Sequence, residues 1–187
     1  MARIPLIGET DRPELVDLIA HLKAKRGGKL INLYRLLLNS PTIASAWLAF
    51  NSAVRFETAL DAGVRELVIL RVSILNGADY QVRIHGGAAY AVKAGLSGEQ
   101  VAALADWQNK LELFTPLQRA VLAYIDAMTK SIEVTDAIYN EFARHFSTQQ
   151  ILEVTVLAGA YNMHTRVARA LQLDIEPTAS TEDRVNG

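Results

Sequence analysis

Apolar positions recur every three to four residues along most of the chain, which is the spacing of one face of an α-helix. The first such stripe consists of Leu15, Leu18, Ile19 and Leu22, and it ends before the glycine pair at residues 27–28. The alternating pattern typical of a strand does not persist in any segment. The pattern predicts an all-α fold of about seven to nine helices. They span residues 14–25, 30–38, 42–59, 65–95 (as a pair of helices), 97–107, 115–129, 135–146 and 147–171.

Polar residues mark several of the predicted helix boundaries. Ser97 precedes Gln100 by three residues and Thr115 precedes Gln118 by the same distance, which is the capping-box pattern of a helix start. Asn76-Gly77 separates two periodic runs within residues 65–95 and predicts a tight reversal between two helices. These signals place the helix starts more firmly than apolar spacing alone.

The length and composition predict one ordinary globular domain. The chain has 187 residues, of which 50% are hydrophobic and 21% are charged. We therefore expect a single domain over residues 1–187, with residues 1–13 as an extended arm and residues 174–187 as a flexible tail. The last long helix loosely repeats the pattern of residues 66–88, which suggests two repeated helical units. His164 and Arg166 lie in that repeat and have no further motif that assigns them a role.

The charge balance and the residue types exclude several classes of function. Nineteen basic and twenty acidic residues give a net charge of −1, so binding to nucleic acid or to an anionic membrane is not expected. The N-terminus reaches charged residues too early for a secretory signal, and no apolar run approaches the roughly 18 residues of a membrane span. A cytoplasmic location is therefore expected. The chain has no cysteine, its four histidines lack metal-ligand spacing, and it has no phosphate-loop motif, so neither a metal nor a cofactor is expected.

The candidate chemistry lies between Arg65 and Gly95. Gln81 and His85 are four residues apart on the second predicted helix, so they share one helix face. Glu66 lies in the first turn of the preceding helix, and an antiparallel return brings its carboxylate near that face. A carboxylate beside an imidazole is suited to proton transfer. The residues alone leave a structural alternative open, because a lone helical histidine is often structural and the helix dipole favours a first-turn acid.

This segment resembles the sequence pattern of the carboxymuconolactone decarboxylase and alkylhydroperoxidase D-like family. That pattern is a Glu, eleven residues, then C-x-x-C-x-x-x-H on a helix, followed by a segment such as KAGLS, which residues 93–97 match. Ala78 and Gln81 stand where the peroxidase branch has its two cysteines. Tyr80-Gln81-Val82 is similar to the Tyr-Glu-Trp triplet of the cysteine-less decarboxylase branch. The resemblance implies an alkylhydroperoxidase D-like helical bundle that assembles as a homo-oligomer, either a trimer or a hexamer.

The same resemblance implies a cofactor-independent decarboxylase or related lyase that acts on a small carboxylated lactone or cyclic acid from aromatic catabolism. On this interpretation, Glu66 makes His85 more basic and His85 donates the proton that quenches the dienolate left when carbon dioxide departs. Tyr80 and Gln81 are expected to hold the lactone oxygen, and Arg71 is a candidate for binding a substrate carboxylate. The alternative is a non-catalytic, ligand-binding or structural helical module. Thiol peroxidase activity is excluded because the chain has no cysteine.

Overall fold

The computed structural model describes residues 1–176, without the side chains of Ala88 and Ala89. Within these residues nine α-helices are connected by turns and by short 3₁₀- and π-helical segments, and no strand forms. The prediction of an all-α fold is therefore confirmed. The helices are α1 Val16–Ala24, α2 Asn32–Leu37, α3 Pro41–Phe56, α4 Ala62–Leu75, α5 Asp79–His85, α6 Gly98–Ala103, α7 Pro116–Lys130, α8 Asp136–Ala143 and α9 Thr148–Ala170.

The described chain forms two compact units. The first consists of Met1–Leu48 with residues 171–176, and the second of Ala49–Ala170. A single domain over residues 1–187 stays a prediction.

In the first unit, residues 1–12 of the predicted N-terminal arm lie outside any helix and are fixed by backbone hydrogen bonds, and Pro13 begins a 3₁₀-helical segment. The Arg3 N–H donates to the Leu171 carbonyl at 2.8 Å, and the Ile7 N–H donates to the Arg35 carbonyl at 3.1 Å. The first residues of the predicted tail are also bonded, because Asp174 Oδ2 accepts from the Ala2 N–H at 2.8 Å. The rest of that predicted tail, residues 177–187, lies outside the described residues.

The second unit is built around α4, which packs against α5, α7 and α9. Helix α4 is apolar on nearly all sides, and a helix of that kind is stable only when other helices surround it. Its side chains meet buried residues of α7 and α9 in one core. That core includes Leu67, Ile69, Leu70, Leu122, Ile125, Val154 and Leu157. The position of any side chain on α4 is therefore set by packing on several sides.

The predicted helix starts at Ser97 and Thr115 are confirmed, since both capping boxes form completely. The second helix of the 65–95 pair differs from the prediction, because α5 ends at His85 and does not continue to Gly95. The two glycines that follow are poor helix formers, and the backbone at Gly87 is extended. Residues Ala88–Val92 then form a short π-helical segment.

No helix within residues 1–176 is both long enough and apolar enough to cross a membrane.

Candidate active site

Glu66 is held in place by the N-terminal end of α4. Asp61 caps this helix, and its Oδ1 accepts hydrogen bonds from the Gly63 N–H at 2.7 Å and the Val64 N–H at 3.3 Å. Glu66 follows within the next turn and is only 4% exposed. Burying a carboxylate is costly unless it accepts hydrogen bonds, so the partners of Glu66 are informative about its role.

A glycine turn brings His85 back to Glu66. Gly77 has a φ of 59°, a left-handed conformation that favours glycine, and the Arg169 Nη1–H donates to the carbonyls of Asn76 and Gly77 at 2.5 and 2.9 Å. Helix α5 then places His85 Nδ1 at 2.7 Å from Glu66 Oε2, with both side chains buried. The predicted contact between these two side chains is confirmed.

Tyr161 on α9 is the second partner of His85. Its hydroxyl lies 3.3 Å from His85 Nε2, and the two rings meet edge to face with their centroids 5.6 Å apart. Because Nδ1–H donates to the Glu66 carboxylate, Nε2 accepts from the tyrosine hydroxyl. The three side chains therefore form one hydrogen-bonded chain. Sequence reasoning did not select Tyr161. The only sequence feature that could have indicated it was the loose repeat of residues 66–88 in the last helix.

Burial lowers the pKa of His85 below its ordinary value of 6.5. This desolvation outweighs the hydrogen bond and the charge of Glu66, which act in the opposite direction, and the positive charge of Arg55 lowers the pKa further. The imidazole is therefore neutral at pH 7. Glu66 does make His85 more basic, as expected, but burial lowers the pKa of His85 by more than Glu66 raises it.

A pocket of about 280 Å³ opens beside Glu66. It is lined by Arg55, Phe56, Ala62, Arg65, Glu66, Tyr90, Lys93 and Ala94. His85 is not one of these lining residues. It lies behind Glu66 and Tyr90, with its ring centroid 4.9 Å from that of Tyr90. Glu66 is thus the member of the pair that reaches this pocket.

The pocket carries more positive than negative charge. Arg55 comes from the last turn of α3, Arg65 precedes Glu66 on α4, and Lys93 follows the π-helical segment. Glu66 supplies the only carboxylate among the eight lining residues. Sequence reasoning did not select Arg55 or Arg65. Lys93 lay in the KAGLS segment, but nothing in its pattern indicated that it faces a pocket.

Tyr80 and Gln81 are both buried on α5. The Gln81 side chain lies one turn before His85, and its Oε1 has no hydrogen-bond partner within residues 1–176. An unsatisfied buried acceptor costs roughly 1–3 kcal/mol, so this oxygen is suited to accept a hydrogen bond from a ligand. Neither side chain lines the 280 Å³ pocket. Their role in substrate binding stays a prediction.

The structure does not bring Arg71 to this site. Arg71 is 2% exposed and donates through Nε and Nη2 to the two carboxylate oxygens of Asp126 at 2.5 and 2.7 Å. Its Nη1–H donates to the Leu104 carbonyl at 2.6 Å. The physical reason is helix geometry, since five residues after Glu66 correspond to a rotation of about 140° around the helix. We therefore replace its predicted role in substrate binding with a structural one.

His164 and Arg166, the two polar residues noted in the α9 repeat, lie in different environments. His164 is buried, with its ring centroid 4.9 Å from that of Tyr161. The Arg166 side chain donates to Asn162, one turn earlier on the same helix. Within residues 1–176, no group of three or more His, Asp or Glu side chains is arranged to hold a metal ion.

The comparisons with known proteins find one matching family model and several similar proteins. Residues 41–127 match the model of the carboxymuconolactone decarboxylase family. The uncharacterized protein YnjA of Escherichia coli (strain K12) is 31% identical over 120 residues, which cover 64% of each chain. A solved structure from Agrobacterium tumefaciens, described as a protein of unknown function and putative antioxidant defence protein AhpD, is 28% identical with a TM-score of 0.68. The similarity covers 74% of this chain and 94% of that chain.

A second solved structure shows the same fold over almost the whole chain. It is described as an alkylhydroperoxidase AhpD core, an uncharacterized peroxidase-related protein from Ralstonia eutropha JMP134. The TM-score is 0.75 at 22% identity, and the similarity covers 94% of this chain and 92% of that chain. Residues 41–127 are therefore similar to the carboxymuconolactone decarboxylase family, and the chain has an alkylhydroperoxidase D-like fold.

Proposed function

We propose that this protein is a cofactor-independent lyase or isomerase that moves a proton on a small carboxylated lactone or cyclic acid. The observation that carries the proposal is the buried hydrogen bond of 2.7 Å between Glu66 and His85, at the wall of a positively charged pocket. A carboxylate held by an imidazole can exchange a proton with a bound substrate. The match of residues 41–127 to this family and the absence of cysteine support chemistry of this kind over thiol chemistry.

The preferred reaction is decarboxylation. The carbon–carbon bond to the substrate carboxylate breaks, carbon dioxide leaves, and the electron pair stays on the substrate as a dienolate conjugated with the lactone carbonyl. A proton then bonds to carbon, so that one carboxylate and one proton become carbon dioxide and a C–H bond. The cations of the pocket stabilise the negative charge on the dienolate oxygen. Isomerisation of the lactone would use the same proton transfer without loss of carbon dioxide.

Glu66 is the group that delivers the proton in this proposal. Its carboxylate takes up one proton from solvent through the pocket and passes it to the substrate carbon, while His85 Nδ1–H keeps donating to Oε2. It lines the pocket, whereas His85 lies behind it and is neutral at pH 7 because burial lowers its pKa. His85 orients the Glu66 carboxyl through Nδ1 and is itself oriented by Tyr161 through Nε2. This assignment reverses the roles expected from the sequence, where His85 was the donor.

The experiment is turnover of a panel of lactone and cyclic acids, beginning with 4-carboxymuconolactone, followed by ¹H NMR in D₂O. The proposal expects loss of substrate, formation of a decarboxylated or isomerised product, and one deuterium at the carbon that receives the proton. The non-catalytic alternative predicts that an acid of the panel raises the melting temperature with neither turnover nor deuterium exchange. That outcome would refute the enzymatic proposal.

We also propose that the protein forms a homo-oligomer. Phe50 of α3 and Leu152 and Val156 of α9 are exposed apolar side chains that line a shallow groove of about 310 Å³ in the second unit. Contiguous exposed apolar surface favours association with another copy. Sedimentation velocity at micromolar concentration tests the assembly, and a monomer under those conditions would contradict it.

A further inference from the structure

We propose that Arg55 is the residue that binds the substrate carboxylate and selects acids over their neutral analogues. The inference rests on the proposed function for the reaction, but its test does not depend on turnover. Arg55 lies in the last turn of α3, is 8% exposed and lines the pocket that Glu66 also lines. Neither the apolar spacing of α3 nor any motif had indicated it.

Among the described residues, Arg55 is a buried guanidinium without an anionic partner. Within residues 1–176 it forms no ion pair with a carboxylate, and its buried Nε–H has no hydrogen-bond acceptor. Arg71, which is similarly buried in the same unit, bonds both oxygens of Asp126 and a backbone carbonyl. Burying an ion without a partner has a penalty of several kcal/mol. The contrast between the two arginines therefore indicates that the partner of Arg55 is a ligand.

Two aromatic rings hold the guanidinium in place. Its central carbon lies 4.7 Å from the ring centroid of Phe56 and 5.4 Å from that of Tyr90. Cation–π contacts of this kind occupy the faces of a guanidinium and leave its N–H edges available for hydrogen bonds. Because Tyr90 also contacts His85, the anion site and the proton-transfer pair share one supporting side chain.

The charges around the pocket orient an acid in one direction. The planar guanidinium of Arg55 can donate two parallel hydrogen bonds to one carboxylate. Lys93 and Arg65 are less buried, and they attract an anion without fixing its orientation. Glu66 on the same wall repels a second carboxylate, so the acid group is drawn to Arg55 and the rest of the molecule extends toward Glu66. A volume of about 280 Å³ lies just below the 300–1,000 Å³ of typical ligand pockets, which suits a small ring.

The test is calorimetric binding of matched pairs: 5-oxotetrahydrofuran-2-carboxylate and 5-oxotetrahydrofuran-3-carboxylate, each beside its methyl ester. Inorganic phosphate serves as an anion that is not a carboxylate. We expect the wild-type protein to bind at least one acid more tightly than its ester and more tightly than phosphate. Arg55→Met should weaken binding of that acid by about 10- to 100-fold and leave the ester unchanged, because charge-assisted hydrogen bonds are lost. Arg83→Met, at an exposed arginine outside the pocket, is the matched control and should bind as the wild type does.

Thermal melting separates loss of the ligand site from loss of the fold. Arg55→Met removes an unpaired buried charge, so the unliganded variant should melt at or above the wild-type temperature. If it does not fold, Arg55→Lys is the second variant, which keeps the charge but loses the bidentate fork and should bind the acid more weakly. The inference is overturned if the wild type binds none of the acids or does not prefer them to phosphate. It is also overturned if either folded variant keeps the wild-type preference for the acid. Acid binding that depends on Arg55 without any turnover would instead refute the proposed function alone.

Discussion

Replacing Arg71 with methionine is expected to destabilise the protein without acting on the pocket. The change removes two buried hydrogen bonds to Asp126, one to the Leu104 carbonyl, and a longer one of 3.4 Å to the Ala105 carbonyl. Breaking a buried ion pair typically costs about 3–5 kcal/mol. Lys130 and Gln108 still bond Asp126, at 3.2 and 2.9 Å, so the lower end of that range applies. For a chain of this size, about 3 kcal/mol corresponds to a fall of roughly 6–12 °C in melting temperature.

The assay is thermal and urea unfolding of Arg71→Met beside the exposed control Arg83→Met, which should remain within about 0.5 kcal/mol of the wild type. Asp126→Asn should destabilise similarly, and the double variant should lose less than the sum of the single changes, because the two residues share one interaction. A variant at Arg71 that unfolds like the wild type yet loses binding of carboxylated substrates would refute this reasoning. It would restore the substrate-binding role that the sequence analysis proposed for Arg71.

Two further predictions concern the burial of His85 and the turn at Gly77 that brings it back to Glu66. Because burial lowers the pKa of His85 below 6.5, the unfolded chain takes up this proton more readily than the folded one, so stability should fall as the pH drops below about 6.5. This group lowers the free energy of unfolding by at most about 1.4 kcal/mol per pH unit until the folded-state pKa is reached. Urea unfolding of His85→Gln should lack this pH dependence, and a variant with the same dependence of stability on pH as the wild type would contradict the account. Gly77→Ala should destabilise by about 1–2 kcal/mol or more, because φ is 59° and the added Cβ would lie 2.2 Å from Arg169 Nη1. Gly98→Ala is the matched control, because its Cβ would meet no atom within 4 Å apart from its chain neighbours and the backbone of its own helix. Equal stability of the two variants would show that the turn tolerates a side chain.

Much of the fold could be predicted from local sequence signals. Capping residues fixed the starts of α6 and α7, and Asn76-Gly77 fixed the reversal between α4 and α5. The end of α5 at His85 was missed because periodic apolar residues continue beyond it, although the following glycine pair weakens a helix. Local signals therefore located where helices begin more reliably than where they end.

The candidate site was only partly predictable. The contact of Glu66 with His85 follows from the spacing of two consecutive helices, and it was anticipated. Tyr161 lies 76 residues from His85 and Arg55 lies on a different helix, so only tertiary packing brings them together. The lowered pKa of His85 depends on burial, which is a property of the folded chain rather than of sequence spacing.

The most direct test of the central claim compares turnover by Glu66→Gln, His85→Gln and the wild type on the first substrate that the acid panel identifies. An amide in place of the Glu66 carboxyl cannot carry a proton, so Glu66→Gln should form the deuterated product about 10² to 10⁴ times more slowly than the wild type. His85→Gln can still donate a hydrogen bond to Glu66 and should retain more activity than Glu66→Gln. Wild-type rates in a folded Glu66→Gln variant, with full deuterium incorporation, would contradict the account.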